Sequence, residues 1–506
     1  MSGHTDVLIV GAGPTGLVLA LWLTAQNVNV RIIDKAEFSV TTSRAIVVQS
    51  RILELYQQLN LTDAVLQSGH AIPASNIWAA GHHKARIPLQ DIGKGLTPYP
   101  FVFAYPQDRH EWLLEERLRD VGVGVERRVE LAGFTQNEAG VSATLRRDGR
   151  EETCEAAYII GCDGGRSVVR HLMDVGFQGG TYPQVFFVAD IEGSGHVFNG
   201  EVHINLTDED FIMLIGLDGH RHARLVGVVS GDAAENADSL TFDDVAPRAA
   251  DALKVNIDAA NWFSTYRVHH RVADAFRKGR AFLVGDAGHV HSPAGGQGMN
   301  TGIGDAINLA WKLAASLRGQ ADDSLLDSYE IERRAFALKL VGSTDRIFTM
   351  ATAEGVFANT MRRYVLPFFA PWAIRIPYMP AYYFKGMSQI ALEYRSSPLA
   401  DGAAGSVSGG DRLPWVVING ADNFASLVMA WQVHVYGTAS DGLVRWCEQK
   451  GIPLQVFDWA PEYGNAGLVC DAAYLLRPDT YIGAIDSAGS PDTLERYFSS
   501  RGLVVS

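Results

Sequence analysis

The amino-acid sequence predicts a mixed α/β and α+β protein, and three stretches carry that prediction. Near the start, Asp6 to Val10 (DVLIV) is an apolar run of strand length. Gly11-Ala12-Gly13-Pro14-Thr15-Gly16 follows at once, before the apolar helical stretch Leu17 to Leu23. Far along the chain the pattern returns: a short strand, Ala281 to Val284, then Gly285-Asp286, a loop rich in Gly and Pro, and Ile307, Leu309, Ala310, Trp311 and Leu313 at helical spacing. Between these, from about Tyr182 to Val272, the chain changes to long alternating strands: Gln184 to Ile191, Glu201 to Leu206, Phe211 to Leu217 and Ala223 to Ser230.

The first stretch is the G-x-G-x-x-G fingerprint of a Rossmann-type domain in the context it requires, because a second strand, Val28 to Ile33, ends at Asp34. Gly11, Gly13, Pro14, Thr15 and Gly16 are expected to approach a pyrophosphate, with Asp34 and Lys35 at the ribose end. Asp34 would repel a 2′-phosphate, so this site suits the adenosine of FAD or NAD. In the second stretch Asp286 suits a ribityl or ribose hydroxyl. The loop carrying Pro293, Gly296, Gly298, Met299 and Asn300 offers backbone N–H groups and a helix N-terminus to negative charge.

A length of 506 residues predicts about three domains. A net charge of −14 and a pI near 5.5 argue against nucleic acid or an anionic membrane as partner. Met1 to Thr5 is too short and polar for a signal peptide. The four cysteines, Cys154, Cys162, Cys447 and Cys470, lack metal or C-x-x-C spacing, which fits a reducing compartment, the cytoplasm, and no metal site. No second G-x-G-x-x-G exists to seat a separate NADPH domain.

With Gly161-Cys162-Asp163-Gly164-Gly165-Arg166-Ser167 added, these motifs resemble the three signatures of the FAD-dependent aromatic hydroxylases, the single-component class A flavoprotein monooxygenases related to 4-hydroxybenzoate and phenol hydroxylases. Supporting matches are Ser43-Arg44-Ala45, Gln107 with Glu111, Arg271 and Ala273 before Gly279-Arg280, and Tyr329-Glu330 with Glu332-Arg333. The resemblance implies bound FAD, NAD(P)H as a transient co-substrate met at the surface, and molecular oxygen. It places Arg44, Gln107 and Asp163 at the pyrophosphate; an Asp before two glycines also forms a turn with no further role. It implies FAD-binding parts at 1–181 and 273–345, a substrate-binding sheet at 182–272, a helical cap or dimer region at 346–399, and a thioredoxin-like C-terminal domain at 400–506. The pocket wall is expected from His203, Met213, Ile215, Leu225 and Arg224, residues that equally suit plain sheet packing.

Tyr364 to Phe384 is almost wholly apolar, yet four prolines and Arg375 make a straight transmembrane helix improbable; a cap or a dimer surface is expected. Ala400 to Gly410 (ADGAAGSVSGG) reads as a linker. The tail beyond it resembles that of the phenol hydroxylase branch, including Leu476-Arg477-Pro478-Asp479, but Cys447 stands alone, so a structural or oligomer-forming role is expected. The expected reaction is hydroxylation of a phenolic or polyketide-like aromatic through a flavin C4a-hydroperoxide. Pro293 lies beside flavin and substrate by resemblance, and His203, Arg224 and Tyr266 are side-chain candidates among which no base stands out. Epoxidation or Baeyer–Villiger insertion is the alternative within the same chemistry, and a non-catalytic flavin-binding scaffold the alternative outside it.

Overall fold

The computed structural model describes residues 3–39, 45–79, 82–206, 211–217, 220–229, 239–292, 296–352 and 379–504. Arg44, Pro293, Asp218, Gly219 and the segment 364–378 lie outside the described residues. In chain order the elements that position the site are β1 (Gly3–Val10), α1 (Pro14–Ala25), β2 (Val30–Asp34), β3 (Val47–Val48), α2 (Ser50–Tyr56), β4 (Ala74–Ala79), β5 (His82–Pro88), α3 (Gln107–Asp120), β6 (Arg150–Gly161), α4 (Val168–Leu172) and β7 (Phe177–Ser194). Then come β8 (Val202–Leu206), β9 (Phe211–Gly216), β10 (His222–Val229), α5 (Phe242–Leu253), β11 (Asn256–Ala273), β12 (Ala281–Leu283), β13 (His289–Val290), α6 (Gly298–Leu317), α7 (Ser324–Thr352) and α8 (Met379–Met387). The C-terminal part holds β14 (Gln432–Tyr436), α9 (Asp441–Lys450), β15 (Leu454–Phe457), β16 (Ala473–Leu476), β17 (Ile482–Asp486) and α10 (Pro491–Ser500).

The apolar runs form strands buried on both faces, as parallel sheets require. β1 lies between β2 and β6, parallel to both, and β12 extends the parallel set beyond β6. Val7, Leu8, Ile9, Ile159 and Ile160 have no exposed surface. α1 packs against both α3 and α6, which explains why Leu17 to Leu23 is apolar all round rather than amphipathic. Two hairpins turn at Asn137–Gly140 and Arg147–Gly149, and β6 serves twice: its first half closes the second hairpin, its second half pairs with β1.

The second sheet has the order β13-β11-β7-β10-β9-β8-β4-β5. β4 and β5 come from the chain before residue 100 and were not expected there; β4 joins parallel to β8. Helix α5 covers one face of the sheet, packing Val245, Ala249 and Leu253 on Phe187, Leu214 and Leu225. Register decides which residues face away from it. Ile215 lies opposite Val202 and Arg224, whereas Leu214 lies opposite His203 and Leu225. Of the five expected pocket residues, Met213, Ile215 and Arg224 therefore share one face and His203 and Leu225 the other, because side chains alternate along a strand.

The C-terminal sheet has the order β15-β14-β16-β17, with β14 and β15 parallel and the last two strands antiparallel, as the thioredoxin-like reading expects. The stretch expected to be a linker is a tight hairpin instead: Ala403–Ala404 pairs with Val407–Ser408, Asp401 bridges to Ala484, and Ala404 and Val407 are buried. Small residues are needed there for close approach, since a side chain on Gly409 would overlap the Asp401 backbone. No helix among the described residues is long and apolar enough to cross a membrane.

Buried charges fasten this domain to the first. Glu332 of α7 accepts from Lys312 at 2.8 Å, Arg477 at 2.6 and 3.0 Å, Asn308 at 2.6 Å and Ser397 at 2.6 Å. Arg477 also grips Asp479, whose carboxylate takes the Trp311 indole N–H at 3.1 Å. Arg51 of α2 donates to the Asp479 carbonyl and to Thr480, and Glu54 is held by Arg412 and Thr97. Despite burial, these cations hold the Glu332 carboxyl well below the usual range. Removing one partner of such a pair strands the other, so Arg477→Met is expected to cost about 3–5 kcal/mol in urea unfolding, and Arg477→Lys clearly less. His434, fully buried in β14, is held neutral with its pKa lowered by burial from 6.5 to about 3. Its contribution to stability is complete above pH 6.5 and is lost as pH falls toward 3, so His434→Gln is expected to flatten the acid limb of a melting-temperature profile over that window.

Candidate active site

Two glycine-rich turns from distant parts of the chain meet at the carboxyl ends of the parallel strands. Gly11, at the end of β1, has φ +104°, and a Cβ there would lie 2.4 Å from the Cys162 carbonyl. Only glycine fits that position. A Cβ on Gly13, by contrast, meets nothing within 4 Å, so this residue borders open space at the N-terminus of α1. Thr15 wedges between Gly285 and Gly302, its Oγ1 2.9 Å and 2.5 Å from where their Cβ atoms would stand. Asp34 accepts N–H bonds from Ala12 and Ala36, each at 2.7 Å, which holds the loop and leaves carboxylate lone pairs for a ribose. Lys35 is exposed beside it, and Gly16 packs on the Gly11 carbonyl.

Helix α6 presents its first turn to the same space. Its first internal bond runs from Thr301 N–H to Gln297, so the N–H groups of Gly298, Met299 and Asn300 are not used by the helix. The Asn300 side chain is wholly committed: Oδ1 takes Gln49 N–H at 2.8 Å, and Nδ2 donates to Val47 at 2.8 Å and Gly296 at 3.0 Å. It therefore fastens β3 to the helix end, and its contribution to a ligand comes through the backbone.

One turn further on, Asp305 has no exposed surface and organises the neighbourhood. It accepts from Gly285 N–H at 3.1 Å and His289 Nε2 at 2.7 Å, and pairs with Arg333 of α7. Arg333 also reaches the Thr301 carbonyl at 3.0 Å and the Tyr394 hydroxyl at 2.7 Å. Asp305 and His289 both lie in or beside the second glycine-rich stretch, but no spacing in the sequence marks them as partners.

Asp163 lies against Gly11, and its Oδ2 caps α4 by accepting from Val168 and Val169 N–H at 2.7 and 3.2 Å. Its Oδ1 is buried with no partner among the described residues, and burial raises its pKa. Arg170, which the sequence did not single out, ties this loop to the other turn through the carbonyls of Gly165 and Ala287, at 2.8 and 2.7 Å. Asp286 is exposed in the short turn Gly285–Ala287. Gln107 opens α3, with its N–H on the Ala45 carbonyl and its amide on Glu111 at 2.7 Å.

The family model described as FAD binding domain matches residues 4–344. This chain belongs to that family. It is a FAD-dependent aromatic hydroxylase of the class A flavoprotein monooxygenases. The hydroxylase is 38% identical over 413 residues to 6-methylpretetramide 4-monooxygenase of Streptomyces rimosus, covering 79% of this chain and 72% of the relative. It is 32% identical over 507 residues to a flavin-dependent monooxygenase of Mycobacteroides abscessus, covering 96% and 97%. The OxyS anhydrotetracycline hydroxylase from Streptomyces rimosus superposes with a TM-score of 0.79 at 25% identity over 99% of this chain and 100% of that one.

The residues present fit FAD: a cradle open at Gly13, an acid at the ribose end, a helix end with unused N–H groups, and the unpartnered Oδ1 of Asp163. The hydroxylase's side-chain candidates separate. Arg224 is buried on the sheet face turned toward β3; it pairs bidentately with Asp190 at 2.7 and 2.8 Å and donates to the Ala45 carbonyl at 3.2 Å. Tyr266 shares that face, opposite Phe186. His203 does not. Its Nδ1 takes the Trp78 indole N–H at 3.2 Å, so its proton sits on Nε2, toward Asn199 Oδ1 at 3.1 Å; burial lowers its pKa to about 4. A neutral histidine on the α5 side is a packing residue. Gly11→Ala is expected to abolish flavin retention through backbone overlap, whereas Gly13→Ala is expected to fold normally and weaken FAD binding by at least about tenfold, read by flavin release on dilution.

Proposed function

We propose that this monooxygenase places one oxygen atom from molecular oxygen on the ring of a phenolic or polyketide-like aromatic, with NAD(P)H as electron donor. When bound, FAD supplies hydride acceptance and oxygen activation. The observation that carries the reading is the sheet face turned away from α5. Val202, Ile204, Met213 and Ile215 meet Ile46 and Val47, and β3 is the strand that Asn300 ties to the flavin-facing end of α6. A flat apolar molecule held there lies between an aliphatic wall and the cofactor seat, and the wall keeps water from the reacting atoms.

The Asp190–Arg224 pair supplies the polar element of that face. Its opposite charges cancel, so it suits a neutral phenol or enol better than a free carboxylate, and Asp190, partly exposed, keeps lone pairs for a hydroxyl. The names of two relatives give 6-methylpretetramide and anhydrotetracycline as what they act on, and a substrate of that kind is proposed for this chain. For the donor, support comes from Arg166, Arg267 and Arg271. Arg166 of the Gly165 loop and Arg271 of β11 both lie near His269, Arg267 stands on the same strand, and none of the three has a carboxylate in ion-pair contact among the described residues, in a protein of net charge −14. Such a patch attracts a dinucleotide pyrophosphate.

The test is NADPH and NADH oxidation by the flavin-loaded protein with a panel of phenols and polyphenolic polyketides, counting hydrogen peroxide in parallel and following the transient absorbance of a C4a adduct. A compound that accelerates oxidation with little peroxide is expected; uniform release of peroxide across the panel overturns the reading. With such a compound, Met213→Trp is expected to raise KM by about tenfold by filling the wall, with flavin content unchanged.

A further inference from the structure

The loop between β13 and α6 begins with two side chains that each carry one buried polar atom with no hydrogen-bond partner among the described residues. His291 Nδ1 lies 2.8 Å from the Ser292 carbonyl. A carbonyl only accepts, so the ring proton sits on Nδ1 and Nε2 keeps a bare lone pair. That Nε2 is fully buried with no hydrogen-bond partner among the described residues, and so is the hydroxyl oxygen of Ser292, a residue with no exposed surface. Leaving a buried polar group unsatisfied costs about 1–3 kcal/mol, and native structures meet that cost with a partner.

The lone pair lies close to the first turn of α6. Nε2 is 3.9 Å from the position a Cβ on Gly298 would take, at the first residue of α6. His289, two residues earlier, has its Nε2 taken by Asp305 and stacks on Phe276. His291 has no such commitment. Burial and the neighbouring His289 lower its pKa to about 4, so near neutral pH the ring is uncharged and the lone pair is available. A bare acceptor with a protonated Nδ1 calls for a donor, and the molecules proposed for this mouth carry few. The oxidised flavin ring has its imide N–H, and a phenolic substrate has its O–H.

We propose that His291 Nε2 accepts a hydrogen bond from the acidic N–H or O–H of an aromatic ring bound at the N-terminus of α6, which makes His291 a contact residue of the reaction site. On an imide the contact orients the flavin ring. On a phenol it draws the hydroxyl proton outward and enriches the ring carbon that receives oxygen. The first source rests on the FAD assignment alone; the second rests also on the phenolic reading above.

Holoenzyme carrying 15N-labelled histidine distinguishes the sources without turnover. A His291 Nε2 resonance already displaced from the bare-nitrogen position identifies the flavin as donor; one displaced only when a phenolic ligand is added identifies the substrate. A resonance that stays at the bare position in both states overturns the proposal, and because this arm uses the wild-type chain it holds whether or not the variants fold. In parallel, His291→Phe deletes the acceptor and His291→Gln supplies another. Since an acceptor stabilises the protonated donor, ionisation of the bound flavin imide, followed by absorbance against pH, is expected about one pH unit lower in the Phe variant and recovered in the Gln variant. The same displacement in the ionisation of a bound phenol points to the substrate. Identical titrations in all three proteins for both groups overturn the proposal. The flavin titration needs no substrate, so it stands or falls separately from the phenolic reading.

Discussion

The structure depends on Asp305. A carboxylate with no exposed surface is costly unless every lone pair has a use, and here the uses are the Gly285 N–H, His289 and Arg333. Each partner belongs to a different part of the chain: the turn after β12, the strand β13 and the helix α7. Arg333 adds the Thr301 carbonyl, so the first turns of α6 are fixed from two sides. The direction in which α6 points its unused N–H groups follows from these bonds.

Helix α6 therefore works on two fronts. Its first turn, fastened to β3 by Asn300, keeps unused N–H groups at the end that fits FAD; its later turns carry Asn308, Trp311 and Lys312 into the cluster around Glu332 and Arg477. Through that cluster the C-terminal domain, which lacks a redox pair, holds α2 and α6 in place. Its contacts with those helices run through Arg477, Asp479 and Thr480. The same logic explains the second sheet. Arg224 is buried at no excess cost because Asp190 stands directly across the ladder and the Ala45 carbonyl takes a further N–H.

Much of this was legible in the sequence because the signals were local. Gly11, Gly13 and Asp34 lie within one strand-turn-helix-strand unit, where spacing fixes geometry, and the same holds for Gly285 and the start of α6. Cys447 has no neighbouring cysteine, which is why the sequence offers no disulfide-exchange pair in the tail. Less legible was the stretch Ala400 to Gly410, whose small residues suit a flexible linker and a tightly packed hairpin equally; the close approach of Gly409 to Asp401 decides for the hairpin.

What the sequence determined by itself is the nucleotide-binding architecture and the class of cofactor, since a glycine that must have positive φ and an acid at a strand end declare themselves by position. What only the tertiary structure decided is which side chains share the sheet face turned toward β3. His203 and Arg224 looked equivalent along the chain, yet pairing of β8, β9 and β10 sends them to opposite faces. Side chains alternate with a period of two, so a face is fixed by register between strands, and register is set by partners that lie far away in sequence.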